Sequence, residues 1–238
     1  MPHVSLPPPM LRLLGPFRLD GVAGARDVAA PGRRVLAFLA LHGCAARSVV
    51  AGTLWPESTD EHAHGSLRTA LWRLHRDAGP LVVGGETLAL REGLAVDARL
   101  LAATALAVVE AAEVRGDEPR LDLLFAGDLL PGWDDDWVVF ERERLRQLRL
   151  HALETFSVCL ARRGRYSLAL NAALTGVRVE PLRESMHRAV VAVHLAEHNT
   201  VEAVRHYRAY RRLVRAELGI EPSGEFTGML PPGVLHIQ

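Results

Sequence analysis

Lysine does not occur in this chain: its 28 basic residues are all arginine. A lysine-based phosphate cradle and a Schiff base, both of which need an ε-amine, are therefore excluded. Cysteine is nearly missing too, and its two copies, Cys44 and Cys159, stand inside apolar helical patterns. They read as buried free thiols and not as a disulfide or a metal pair. Net charge is nil, which argues against indiscriminate binding of polyanions. No apolar run is long enough to span a bilayer, and residues 1–10 place no charged segment ahead of an apolar one. Neither a membrane span nor a signal peptide is read, and the cytoplasm is the expected compartment.

Catalytic signatures are absent as well. G-x-x-x-x-G-K-[ST], G-x-S-x-G and H-E-x-x-H do not occur, and GVAGAR over 21–26 has no helix of the kind a dinucleotide fingerprint needs. An enzyme is not expected, nor a cofactor. His62 and His64 form H-x-H, but two ligands are too few for a structural zinc site. Asp134, Asp135 and Asp136 immediately precede a helical pattern, where carboxylates act as caps and favour the dipole. No metal is expected.

What is present divides at about residue 97. Residues 1–10 are proline-rich and read as a disordered tail. A strand follows over 11–19, interrupted at Gly15-Pro16, then a short irregular strand over 22–28. Pro31 stands where a first-turn helix proline stands, and Gly43 stops that helix. Ser48 reads as the cap of a second helix that Pro56 ends. A polar loop over 57–65 leads to a third helix over 65–77, and a hairpin turns at Gly84-Gly85. Strand pair, three helices, hairpin is the order of an α+β winged helix-turn-helix, here over 11–97.

The third helix is the most informative stretch. Leu67, Ala70, Leu71 and Leu74 make one apolar stripe, with Arg68, Thr69, Trp72, Arg73 and Arg76 outside it. A helix greasy behind and arginine-bearing in front is built to enter a major groove, where arginine pairs with guanine O6 and N7. Arg68, Thr69, Trp72 and Arg73 are the base-facing candidates. His64 and Ser66, read at the helix start, suit a phosphate. Arg76 and Arg91 are candidates for phosphate or minor groove, and Arg33 and Arg34 for the backbone from the side. The alternative for each is an exposed or capping residue, or, for Trp72, packing within the domain.

From residue 98 the pattern is nearly all helix, out to about 222, with a flexible tail expected over 223–238. Placing residue i against i+34 aligns Leu148 with Leu182, Ala152 with Met186, Phe156 with Val190, Ala169 with Ala203 and Ala173 with Tyr207. That period is the tetratricopeptide one, so this half reads as a stack of helical hairpins. Trp133 and Trp137 read as packing between the domains, and ERERLRQLR over 141–149 as a solvated charged face.

These halves, in this order, resemble the actinobacterial antibiotic regulatory proteins, the SARP family. The carrying segments are LRLLGPFRL over 11–19, PGRRVLAFLALHG over 31–43, LW and then SLRTALWRLHRD over 66–77. GDLLPGWDDDWV, ERERLR and ELGIEPS over 217–223 complete them. Members join an OmpR/PhoB-type DNA-binding domain to a bacterial transcriptional activation domain. The resemblance implies a sequence-specific activator of a biosynthetic gene cluster that binds direct repeats in double-stranded DNA and recruits RNA polymerase. It also implies that the loop with Glu57, Asp60 and Glu61 meets a sigma factor or the alpha subunit. So balanced a charge makes a single copy a weak binder, and pairing as a dimer on DNA supplies the affinity. Two readings stand beside this: a repressor of the same architecture, and a protein-interaction scaffold whose winged helix no longer reads DNA.

Overall fold

The computed structural model describes residues 9–22, 28–110 and 120–231. It divides into two compact units, Met1–Ala102 with Ala126–Leu145, and Ala103–Phe125 with Arg146–Gln238. The chain thus passes between units at 102/103, 125/126 and 145/146, where the sequence suggested one boundary after residue 97.

The first unit is a winged helix-turn-helix. β1 (Met10–Arg12) and β2 (Arg18–Asp20) pair antiparallel with Leu11 opposite Leu19. The stretch 11–19 is therefore a hairpin folded at Gly15-Pro16 and not one strand, with Gly15 at a φ of 102° that favours glycine. Met10, expected in the tail, already belongs to β1. Residues 1–8 lie outside the described residues, as do 23–27 of the expected second strand. α1 (Ala30–His42) starts with Pro31 in its first turn, ends at Gly43, and buries everything from 35 to 40. β3 (Ala45–Ala46) precedes α2 (Arg47–Leu54), so Ser48 falls inside the first turn and Ala46 occupies the cap position. α3 (Asp60–Ala78) is followed by β4 (Val82–Val83), β5 (Thr87–Leu90) and β6 (Ala95–Val96). β6 runs parallel to β1, giving the sheet order β2-β1-β6, and β3-β5-β4 forms a second sheet.

Segment 126–145 belongs to this unit. Leu130 donates its N–H to the Leu13 carbonyl at 2.8 Å. Trp137 meets Phe38 edge-on at 5.5 Å, and Trp133 stacks on Phe17 at 6.2 Å. Both tryptophans, read as interdomain residues, thus lie in the core of the first unit. Cys44 is exposed and Cys159 half-buried, so Cys44 is not the buried thiol expected.

Buried polar groups are satisfied by long-range bonds. Asp97, at the start of α4 (Asp97–Glu110), accepts from the N–H groups of Leu13 at 2.7 Å, Leu14 at 3.1 Å and Ala98 at 2.7 Å. Burial pushes its carboxyl above the ordinary aspartate range against the pull of those donors. Arginine ties off carbonyls: Arg99 reaches the α1 carbonyls of Leu39 and Ala40, easing that helix end. Arg142, on α5 (Asp136–Arg162), donates to the Leu129, Leu130 and Trp133 carbonyls, and buried Arg149 to that of Leu124. The stretch 141–149 is therefore only partly a solvated face: Arg144–Glu141 is exposed, whereas Arg142 and Arg149 hold carbonyls.

The second unit is a tetratricopeptide-like stack. α6 (Tyr166–Val179) packs on α7 (Glu184–Ala196), and α7 on α8 (Thr200–Leu218). The 34-residue offset is visible in the backbone: Gly164 at φ 70° and His198 at φ 61° make the same left-handed turn before α6 and α8. Ala169 and Ala203 are fully buried, as the repeat requires for close helix approach. Gly176 faces α7 so closely that a Cβ there would lie 2.0 Å from the Met186 Cε, and Met186 is itself fully buried. Gly176→Val should therefore cost about 1.5 kcal/mol through overpacking, read as a lower urea midpoint at unchanged slope.

The expected flexible tail begins instead with order. Ser223 caps α9 (Gly224–Gly228), accepting from the Phe226 N–H and donating to the Glu184 carboxylate. Phe226 is fully buried against Tyr207, so the second core continues past 222. Residues 232–238 lie outside the described residues.

Candidate nucleic-acid interface

α3 is two-sided. Ala63, Leu67, Ala70, Leu74 and Ala78 are buried in the first core, at the helical spacing that makes one stripe. On the other side Arg68, Thr69, Trp72, Arg73, His75 and Arg76 are exposed. Trp72 is 62% exposed, so it does not complete the core. The Arg76 guanidinium lies over the Trp72 ring at 5.0 Å and donates to Asp77 at 2.6 Å. Thr69 donates its hydroxyl back to the Gly65 carbonyl at 3.0 Å. Among the described residues neither Arg68 nor Arg73 has a carboxylate partner. Two unneutralised guanidiniums thus stand five residues, about 1.4 helical turns, apart on the exposed side of a helix that the core holds rigid.

The hairpin β4–β5 flanks this surface. Gly84 takes φ 113°, and a Cβ there would sit 1.9 Å from the Thr87 carbonyl oxygen, so the tip demands glycine. Arg47 at the start of α2 holds the tip by donating its Nε–H to the Gly85 carbonyl at 2.5 Å. A cleft of about 560 Å³ runs between hairpin and α3, lined by Arg47, Arg68, Trp72, His75 and Arg76 among others. Arg47 and His75 were not singled out from the sequence. The run C-A-A-R-S ahead of α2 was the available signal for Arg47.

Several predicted residues are placed differently. α3 starts at Asp60, five residues before the expected start. His64 and Ser66 therefore sit inside the helix and not at its positive end, so no helix-terminus assistance to phosphate binding applies to them. Asp60 and Glu61 form the acidic first turn that the dipole favours, and only Glu57 lies in a connecting turn. His62 bonds the Thr59 hydroxyl at 3.0 Å. Gly65 falls mid-helix, where glycine costs about 1 kcal/mol against alanine. Arg34 is tied to Asp135, and Arg33 donates to the Val28 carbonyl at 2.7 Å with its guanidinium over Phe17. Arg34 and Arg33 thus each have a partner within the fold that accounts for their positions. Arg91 is half-buried beside the hairpin, its N–H donating to the Leu81 carbonyl at 2.8 Å.

Similarity to known proteins coincides with this architecture. Residues 96–230 match the family described as the bacterial transcriptional activator domain. The match runs into α9, past the point where the sequence suggested a tail. "Regulatory protein AfsR" of Streptomyces coelicolor is 31% identical over 244 residues, covering 95% of this chain and 23% of the relative. The chain therefore spans about a quarter of that relative's length. Among solved structures, Mycobacterium tuberculosis EmbR, in complex with a low-affinity phosphopeptide, superimposes with a TM-score of 0.64 at 20% identity. That likeness covers 95% of this chain and 66% of the other, and it speaks to fold alone.

Proposed function

This chain belongs to the bacterial transcriptional activator domain family and to the SARP type of regulator, and from that premise we propose that it binds DNA and activates transcription in the cytoplasm. The observation that carries the proposal is the exposed, unpaired Arg68 and Arg73 on the outer face of a helix fixed by its inner one. In this reading α3 enters the major groove. Arg68, Thr69, Trp72 and Arg73 face base edges. Arg76, Arg91 and Arg47 meet phosphates, with His64 and Ser66 along the flank, and the hairpin tip touches the neighbouring strand. Glu57 with the acidic first turn of α3, Asp60 and Glu61, meets a basic surface of RNA polymerase, on its sigma factor or alpha subunit. Two copies pair on direct repeats about one or two helical turns apart, because a chain of zero net charge gains its affinity from linked sites. The target is a biosynthetic gene cluster.

Selection of bound fragments from genomic DNA with the full chain tests this. The expected outcome is a repeated motif, and log K against log salt with a slope of about −3 per protomer for three phosphate contacts. Added to purified polymerase on such a promoter, the protein should raise transcript yield; a fall would identify a repressor. Binding without sequence preference or salt dependence would leave only a scaffold.

A further inference from the structure

α3 carries a second cleft, on the side facing the start of α1. Its volume is about 570 Å³, within the range of small-molecule sites. The floor is apolar, formed by Ala70 and Leu74, which are nearly fully buried. Trp55 and Pro31 supply further apolar wall. Arg68 and Arg73 also line it, both exposed and without a carboxylate partner among the described residues. Glu61 lines the cleft towards the helix start, seven residues before Arg68 and twelve before Arg73, and so about 10 and 18 Å away along the helix. The cleft thus joins apolar wall to two arginines, with a single carboxylate towards the helix start.

Gly65 adds an independent observation. It lines the same cleft, and no atom lies within 4 Å of the place its Cβ would occupy. Packing therefore does not require glycine there, in a helix interior where glycine is unfavourable. Its effect is to keep the wall open. Two guanidiniums lining a cleft with an apolar floor are complementary to one chemical class: a small amphipathic anion, with a carboxylate or sulfonate on an aromatic or aliphatic body.

We propose that this cleft binds such an anion, and that the bound anion withdraws Arg68 and Arg73 from DNA. The first half stands on the cleft alone; the second rests on the DNA-binding reading above. Titration of the full chain, free of DNA, with 8-anilinonaphthalene-1-sulfonate provides the test. One saturable fluorescent site per chain is expected. Gly65→Leu, which fills the cleft while improving helix propensity, should weaken it at least tenfold, and Arg73→Ala about tenfold, both with unchanged circular dichroism. With the anion at ten times its own Kd, the apparent Kd for the selected DNA should rise about tenfold. Absence of the site, or a site indifferent to both substitutions, overturns the proposal whatever the DNA result. A substitution-sensitive site without competition overturns the regulatory half. An intact anion site in a chain that binds no DNA overturns the DNA reading and leaves the site standing.

Discussion

Alanine at both Arg68 and Arg73 lowers affinity for the selected DNA by about 100- to 1,000-fold and leaves thermal unfolding where it was. Each bidentate arginine–guanine pair discriminates by about 1–3 kcal/mol, and the two side chains act from the exposed side of one helix, about 1.4 turns apart. Neither contributes to the core, since both are exposed and neither is ion-paired among the described residues. Loss of stability therefore does not confound loss of binding. The substitutions should also flatten base preference at the guanines they contact. Arg76→Ala should behave differently: a modest loss, uniform across sequences, with the salt slope reduced by about 1. Fluorescence anisotropy on the selected and a scrambled duplex separates the two patterns. Equal losses on both duplexes for the double variant would remove Arg68 and Arg73 from base recognition.

The second large effect is acid loss of stability in the helical half. His187 Nδ1 lies 3.0 Å from His206 Nε2, and His187 Nε2 lies 2.8 Å from the Pro181 carbonyl. The carbonyl can only accept, so His187 carries its proton on Nε2, and His206 donates to Nδ1. Tyr210 lies against His187 with ring centroids 4.2 Å apart and planes tilted by 32°, and the Nδ1 of His194 is buried without a partner among the described residues. Burial, with His187 and His194 nearby, holds the His206 pKa down to about 4, and burial also lowers that of His187 against the opposing pull of Pro181 and Glu184. Between the ordinary value of 6.5 and about 4, the unfolded chain binds a proton that folded His206 does not. Stability is therefore full above about pH 6.5 and falls as pH drops towards 4. The gap corresponds to about 3 kcal/mol, reduced to about 2 by the solvent reaching this half-buried ring. Urea midpoints followed by circular dichroism should show the decline, and His206→Gln should flatten it. A midpoint independent of pH from 7 to 4 would contradict the pairing.

The parts of the fold that were legible share a physical reason. α1 was bracketed by Pro31 and Gly43, two residues whose backbone preferences act locally. The 34-residue stack was legible because small residues must recur where helices cross, as Ala169 and Ala203 do. The outer face of α3 was legible because an apolar stripe defines its own opposite. The start of α3 was not: the first turns bury only Ala63, and the stretch before it is polar, so no stripe marks them. The hairpin of β1 and β2 was hidden because alternation looks the same on either side of a tight turn. Nor does a charged stretch announce which of its arginines will fold inward. Arg142 and Arg149 are distinguished from Arg144 only by carbonyls that come from residues 124–133. The ion pair of Arg34 was hidden in the same way, because its partner Asp135 is 101 residues distant.

Guanine N7 methylation interference probes the guanidinium-bearing face of α3 most directly, because N7 is exposed only in the major groove. Methylation of one or two guanines in each repeat should block binding of the native chain, and at one of them it should become immaterial to Arg73→Ala. Identical interference patterns for both proteins, or binding that tolerates every N7 methyl group, would contradict the account.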